Sequence, residues 1–235
     1  TLALREIFSS DIAKLVVFKG GTCLSKCHNL IERFSEDIDL VVIRMEGEAA
    51  NQTTKRLKRM SKLVDRVLPE VFVEGYTNKR GNIRKTVHQY EKVFDRNLGQ
   101  VGENIVLEAS LLGNSEPFDT QVISSYIQEF MTHKGTHDLL EKHDMASFEV
   151  QALSLKRTLC EKIMSLVRFS HIEGRDEILP TKVRHIYDLH LMLNTEKLFS
   201  FFSSKDFLDM IVKVGEDDFI GYKNNNDWLK NHPAS

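Results

Sequence analysis

Asp37 and Asp39 lie two residues apart in Asp37-Ile38-Asp39-Leu40-Val41, where acids and apolar residues alternate. On a β-strand successive side chains point to opposite faces, so the two carboxylates share one face and Ile38 and Leu40 turn to the other. Their Cα atoms then stand about 6.6 Å apart. Carboxylates at that spacing can converge on Mg²⁺ (or Mn²⁺), with Mg²⁺ taking oxygen ligands at about 2.0–2.1 Å. With a third acid they could hold two ions about 3.5–4 Å apart. A D-x-D pair at a solvated strand end would do none of this, and exposed aspartates are common. What favours a phosphate–metal site is Lys19-Gly20-Gly21-Thr22 just upstream. Gly20 and Gly21 can take positive φ and let backbone N–H groups approach a phosphate. Thr22 can cap a helix whose N-terminus favours an anion. The stretch is not a Walker P-loop, since no G-x-x-x-x-G-K-[ST] is present.

Four elements must position these residues. Val16-Val17-Phe18 is a short apolar strand, a glycine turn follows, residues 22–31 form a helix, and Asp37–Val42 is a second strand. In the helix Leu24, Cys27, His28 and Ile31 pack, and Lys26 faces either phosphates or, as most lysines do, solvent. Strand-like runs at Val71–Tyr76, Ile83–Phe94 and Asn104–Leu112 suggest an antiparallel extension of the sheet. In the last of them Glu108 sits among apolar residues, where an unpaired acid is costly. Glu108 therefore reaches the strand edge or joins Asp37 and Asp39.

Amphipathic helices are expected over residues 1–14 and 51–68. The second carries Leu57, Met60, Val64 and Val67 on one side and Lys55, Arg56, Lys58, Arg59, Lys62 and Arg66 on the rest. That basic face is either solvated or a phosphate-contacting surface. Lys79, Arg80, Arg84, Lys85, His88 and Lys92 make a second basic cluster. Residues 113–150 are mixed, with a helix expected over Val122–Met131. From Ser154 onward the pattern is helical, so a transition falls near residue 115, dividing the chain into 1–114 and 115–235. On the helix from Leu155, Lys162 adjoins the apolar side, as a snorkelling surface lysine would. On the helix from Lys182, Arg184 and Asp188 stand at i and i+4, an ordinary ion pair worth about 0.3–0.5 kcal/mol when exposed. The tail 196–235 holds Phe199, Phe201, Phe202, Phe207 and Trp228, read as packing residues, and Lys223–Asp227 reads as a polar loop.

At 235 residues the chain can bury a sizeable core, and 41% hydrophobic with 28% charged residues is ordinary for a globular protein. No apolar run approaches the ~20 residues that span a bilayer. No signal peptide is evident, although the sequence starts at Thr1 without Met. Cys23, Cys27 and Cys160 make no disulfide framework, which fits a cytoplasmic location. The histidines show no zinc spacing. The formal net charge of −2 argues against a wholly basic nucleic-acid coat but leaves room for a local patch.

F-K-G-G-T-x-L-x-K followed by E-R-F-S-E-D-I-D-L resembles the core motif of the AbiEii/AbiGii-type toxin family, within the polymerase-β-like nucleotidyltransferase superfamily. Two later stretches carry the resemblance further. Arg157-Thr158-x-x-Glu161-Lys162-Ile163 is similar to the family's E-R-T-F-x-E-K-I-L-A-L helix, and Arg184-His185-x-Tyr187-Asp188-Leu189 to its R-H-Y-Y-D-L helix. Leu159 and Cys160 replace aromatic positions, and Ile186 replaces a tyrosine. The resemblance spans roughly residues 10–195. It implies an α/β (α+β) fold: a polymerase-β-like mixed sheet with a C-terminal helical part, the site in the cleft between them.

It also implies roles. Gly20, Gly21 and Thr22 hold the triphosphate of an NTP substrate, and Asp37 and Asp39, with Glu108 as a third carboxylate, hold the metal. Lys162 binds the triphosphate and stabilises the transferring phosphoryl group. Asp188 orients that lysine or helps to activate the acceptor. Arg157 and Arg184 make phosphate or structural contacts. The implied function is the toxin of a toxin–antitoxin or phage-defence pair, with a cognate antitoxin, that transfers nucleotides to an RNA acceptor such as the tRNA 3′ end. The same residues would also suit a transferase acting on a protein or small molecule, or a non-catalytic nucleotide-binding module.

Overall fold

The computed structural model describes residues 1–33, 35, 37–79, 81–91, 103–111 and 115–221. The chain forms two compact units: Thr1–Leu111 with Phe118–Ala152, and Leu112–Pro117 with Leu153–Ser235.

The first unit opens with α1 (Leu2–Phe8) and a 3₁₀ turn at Ala13–Leu15, which deliver β1 (Val16–Lys19). The helix expected over 1–14 is thus broken into two pieces. Next come α2 (Gly20–Lys26), β2 (Asp37–Val42), α3 (Ala50–Asp65), β3 (Glu70–Val71), β4 (Ile83–Gln89) and β5 (Asn104–Ser110). After residue 117 follow β6 (Phe118–Ile123), α4 (Tyr126–His133), α5 (His137–Lys142) and β7 (Phe148–Leu153). The strand order is β3-β4-β5-β2-β1-β7-β6. β1 is antiparallel to β2 and parallel to β7. β2 is parallel to β5, whereas β5–β4 and β4–β3 are antiparallel. The sheet is therefore mixed. The parallel β2–β5 pair departs from the expected antiparallel extension; the long connection through α3, β3 and β4 gives it the crossover it needs.

Alternation sets the two faces. Phe18, Ile38, Leu40, Leu107 and Ala109 turn to a core completed by Ala3, Leu4 and Ile7 of α1 and by Leu57, Met60, Leu63 and Val64 of α3. Each of these side chains larger than alanine contributes roughly 1.5–3 kcal/mol by leaving water. The face that carries Asp37 and Asp39 is the opposite one. Thr86 and His88 of β4 are also buried, with the imidazole bonded to the Thr86 hydroxyl and the Leu68 carbonyl, both at 2.9 Å.

Several elements differ from expectation. The strand run Val71–Tyr76 shrinks to Glu70–Val71, leaving Phe72 exposed. The helix expected over Val122–Met131 starts only at Tyr126, because Val122 and Ile123 belong to β6; the Ser125 hydroxyl caps it, accepting from the Gln128 N–H at 3.0 Å. The transition near residue 115 is also not a clean division: β6 and β7 return residues 118–152 to the sheet unit.

The second unit is helical: α6 (Leu155–Ser170), α7 (Arg175–Ile178), a 3₁₀ turn at Leu179–Lys182, α8 (Val183–Leu193), α9 (Glu196–Phe202) and α10 (Lys205–Gly221). Ser154 caps α6 by accepting from the Arg157 N–H at 3.3 Å. Leu159, Met164, Met192, Leu198, Phe201 and Val214 are buried in it. Cys160 is buried too, and burial pushes its thiol pKa up to about 12, as befits an inert packing residue. Trp228 and Lys223–Asp227 lie outside the described residues. Among the described residues no helix is long and apolar enough to cross a membrane.

Candidate active site

β1 runs directly into α2, so the glycines form the first turn of the helix rather than a turn before it. Three successive residues of this turn are each keyed to the segment that leads into and along β2. Gly20 has φ +79°, the left-handed region that favours glycine, and a Cβ there would overlap the Asp39 carboxylate. A Cβ at Gly21 would overlap the Arg33 guanidinium. The Thr22 hydroxyl donates to the Asp37 carbonyl. Thr22 is therefore a tie between helix and strand and not the expected cap; the N-cap position is Lys19, with no side-chain cap. Gly20→Ala is expected to cost about 1–2 kcal/mol for a left-handed non-glycine residue and to displace Asp39. Denaturant unfolding checks the first effect, and the metal-dependent transfer that the family resemblance implies, expected to fall with it, checks the second.

Register places the acids. Asp39 pairs with Lys19 of β1 on one side and with Glu108 of β5 on the other, and Glu108 pairs with Lys85 of β4. Paired residues of neighbouring strands share a face, so Lys85, Glu108, Asp39 and Lys19 form one transverse row of alternating charge, with Asp37 on the same face. Glu108 does not reach a strand edge, because β5 lies inside the sheet between β4 and β2. It stands beside Asp39, yet its carboxylate is 3.5 Å from Lys85 Nζ. Among the described residues no three His, Cys, Asp or Glu side chains are clustered closely enough to hold a metal. Asp37 and Asp39 nonetheless fit Mg²⁺, which is usually held by one or two carboxylates together with substrate phosphates and water.

Neither Lys26 nor His28 faces solvent as a free polar group. The Lys26 ammonium is buried 3.3 Å above the centre of the Tyr126 ring, and burial lowers its pKa against the opposing pull of Glu129. His28 Nε2 is buried without a hydrogen-bond partner. Burial holds its pKa below 6.5, with Asp119 opposing. The folded chain therefore favours the neutral imidazole, and this contribution to stability, present above about pH 6.5, is lost as the pH falls through the depressed folded value. His28→Gln is expected to flatten the acid side of the stability profile, read by denaturant titration at stepped pH.

In the second unit, Lys162 Nζ donates to Asp188 Oδ2 at 2.7 Å. The Asp188 side chain has 0% exposure and that of Lys162 has 8%. The Lys162 ammonium is thus held by a carboxylate that has no solvent access. The snorkelling surface lysine and the ordinary exposed ion pair are both excluded by this burial. Arg157 is structural: Nε is 3.1 Å from Glu161 Oε1, Nη1 donates to the Glu116 carbonyl at 3.2 Å, and Nη2 is 2.6 Å from Asp217 Oδ2. It joins α6, α10 and Glu116 from a position that is 1% exposed.

The two basic clusters fare differently. On α3, Arg56 is taken by Glu48 and the Ile43 carbonyl, and Arg59 pairs with Asp11 at 3.2 Å, but Lys55, Lys58, Lys62 and Arg66 remain exposed. The described residues of the second cluster do not form one surface patch: His88 is core, Lys79 pairs with Glu70, Arg84 donates to the Ser61 hydroxyl, and Lys85 faces Glu108. Arg80 and Lys92 lie outside the described residues. Sequence reasoning missed Lys19, Arg33 and Lys85 as neighbours of the acids. Lys19 and Arg33 stand inside the quoted motifs, and strand alternation alone would have separated Lys85 from its cluster.

The fold class is α/β, a mixed sheet whose carboxylate strand is tied to a helix that begins with two glycines. The chain belongs to the nucleotidyl transferase AbiEii toxin family of type IV toxin–antitoxin systems, whose model matches residues 2–223. Among solved structures it is similar to MenT4, a nucleotidyltransferase toxin from Mycobacterium tuberculosis H37Rv, at 17% identity and a TM-score of 0.45, covering 71% of this chain and 50% of that one. The chain thus spans about half the length of that relative. No curated protein matches it.

Proposed function

We propose that the chain transfers a nucleotide from an NTP to the hydroxyl of an RNA acceptor such as the tRNA 3′ end, as the toxin of a toxin–antitoxin pair. The observation that supports this reading is the contact of Gly20 with the Asp39 carboxylate, of Gly21 with the Arg33 guanidinium and of the Thr22 hydroxyl with the Asp37 carbonyl, which sets the glycine turn against the acid strand. Gly20, Gly21 and Thr22 hold the triphosphate. Asp37 and Asp39, with Glu108 released from Lys85, hold Mg²⁺ or Mn²⁺, whose charge offsets the negative charge gathering on the α-phosphate. Lys162, held by Asp188, binds the triphosphate and stabilises the same charge. The acceptor oxygen bonds to the α-phosphorus as its hydroxyl proton passes to water, the bond from that phosphorus to the bridging oxygen breaks, and pyrophosphate leaves. The exposed stripe Lys55, Lys58, Lys62 and Arg66 is the acceptor surface, and a cytoplasmic location supplies NTP, RNA and an antitoxin.

The test incubates the protein with total RNA, Mg²⁺ and each α-labelled NTP in turn, beside an Asp37→Ala/Asp39→Ala variant. Label on a tRNA-sized band with the native protein alone supports this function. Label on protein would favour a protein-modifying transferase, the reading to which the dispersal of the second basic cluster lends some weight. No label, with NTP binding intact, would leave a nucleotide-binding module.

A further inference from the structure

Gly21 raises a question that Gly20 does not. Its φ lies outside the left-handed region, so its backbone does not require glycine. Inside a helix, glycine costs about 1 kcal/mol relative to alanine. Among the described residues, the nearest atoms that an alanine Cβ would meet there are the Nη2, Cζ and Nη1 of Arg33. The missing side chain serves to admit that guanidinium. Arg33 is half-buried, stands four residues before Asp37, and shares the α2 opening with the Asp39 carboxylate against Gly20.

A strand face that carries Asp37 and Asp39 is a poor host for a polyanion unless cations stand on it. Lys19 pairs in register with Asp39, and Lys85 is 3.5 Å from Glu108. Arg33 is the cation placed against the backbone of the glycine turn itself. A planar guanidinium with five N–H donors matches phosphate oxygens two at a time, which an ammonium does not. We propose that Arg33 is a nucleotide-binding residue whose guanidinium, admitted by the absent Cβ of Gly21, contacts the phosphates of the bound NTP. This rests on the nucleotide reading of the same site and adds to it a residue and the reason for the second glycine.

The rival role is a brace that only neutralises the acids of β2. The two differ in what they move. Equilibrium binding of NTP with Mg²⁺ is measured for the full chain and for Arg33→Ala, Arg33→Lys, Gly21→Ala and the Gly21→Ala/Arg33→Ala pair, alongside thermal unfolding. Arg33→Ala is expected to weaken NTP binding about ten- to a hundredfold. Binding of the corresponding nucleoside and the unfolding temperature should not change. Arg33→Lys should recover part of the loss. Gly21→Ala pushes the flexible end of Arg33 aside and should reproduce the loss. The pair should bind no more weakly than Arg33→Ala alone, because both changes remove one contact. Native NTP affinity in Arg33→Ala, or a lowered unfolding temperature with affinity kept, would overturn the inference and leave the brace. Fully additive losses in the pair would overturn the link to Gly21. No NTP binding by the native chain would overturn the nucleotide reading itself and this inference with it.

Discussion

Asp39→Asn is expected to lower metal-dependent nucleotide transfer by about 10²–10³-fold while leaving the unfolding transition close to native. Asparagine keeps the size of the side chain against which Gly20 is packed, so the local backbone has no reason to move. What is removed is the charge at the centre of the Lys85–Glu108–Asp39–Lys19 row. The neutral side chain also leaves two lysines on that face facing one carboxylate in the row instead of two, so NTP binding without metal should be kept or strengthened. Label transfer at saturating NTP and calorimetry of NTP binding with and without Mg²⁺ separate these effects. Full activity in Asp39→Asn would show that the acids of β2 are not the metal site.

The largest effect on stability is expected at the Lys162–Asp188 pair. Asp188→Ala leaves an ammonium with almost no solvent access and no counter-charge, at a cost of about 3–5 kcal/mol. Replacing both partners with apolar residues of similar size, Lys162→Met/Asp188→Leu, removes the unpaired charge and should return most of that stability. On the proposed function activity should not return with it, because Lys162 is there the cation that binds phosphate. Urea unfolding of the two variants beside label transfer tests this. A double variant that recovers both would make the pair purely structural, like the Arg157 contacts.

The local parts of this layout were legible in the sequence. Acid–apolar alternation over Asp37–Val42 fixed which side chains of β2 enter the core, and Glu108 was recognisable as an acid out of place in an apolar strand. β6 and β7 were not found. Phe118–Ile123 carries too many polar residues to read as a strand, and the alternation of Phe148, Val150 and Ala152 was lost in a stretch broken by Pro117 and Gly135. The contacts that make the site are non-local, and no spacing rule predicts them. Nothing in Gly20-Gly21 says that one glycine gives way to Asp39 and the other to Arg33. The basic cluster of 79–92 failed for a related reason: counting charges along a strand ignores that neighbours point to opposite faces. His88 and Lys85 are three residues apart and lie on opposite sides of the sheet.

The path of the chain through the sheet also sets what can be cut away. β1, which ends at the glycine opening, has β2 on one side and β7 on the other, and β7 is contributed from beyond residue 147. A fragment ending near residue 114 would contain every residue of the acid row yet lack that neighbour. Its β1 would become a border, with one line of N–H and C=O groups unpaired and open to the same border of another copy. Such a fragment is expected to self-associate. Domain dissection of this protein should therefore keep 118–152 joined to the N-terminal part, by a short linker in place of 112–117.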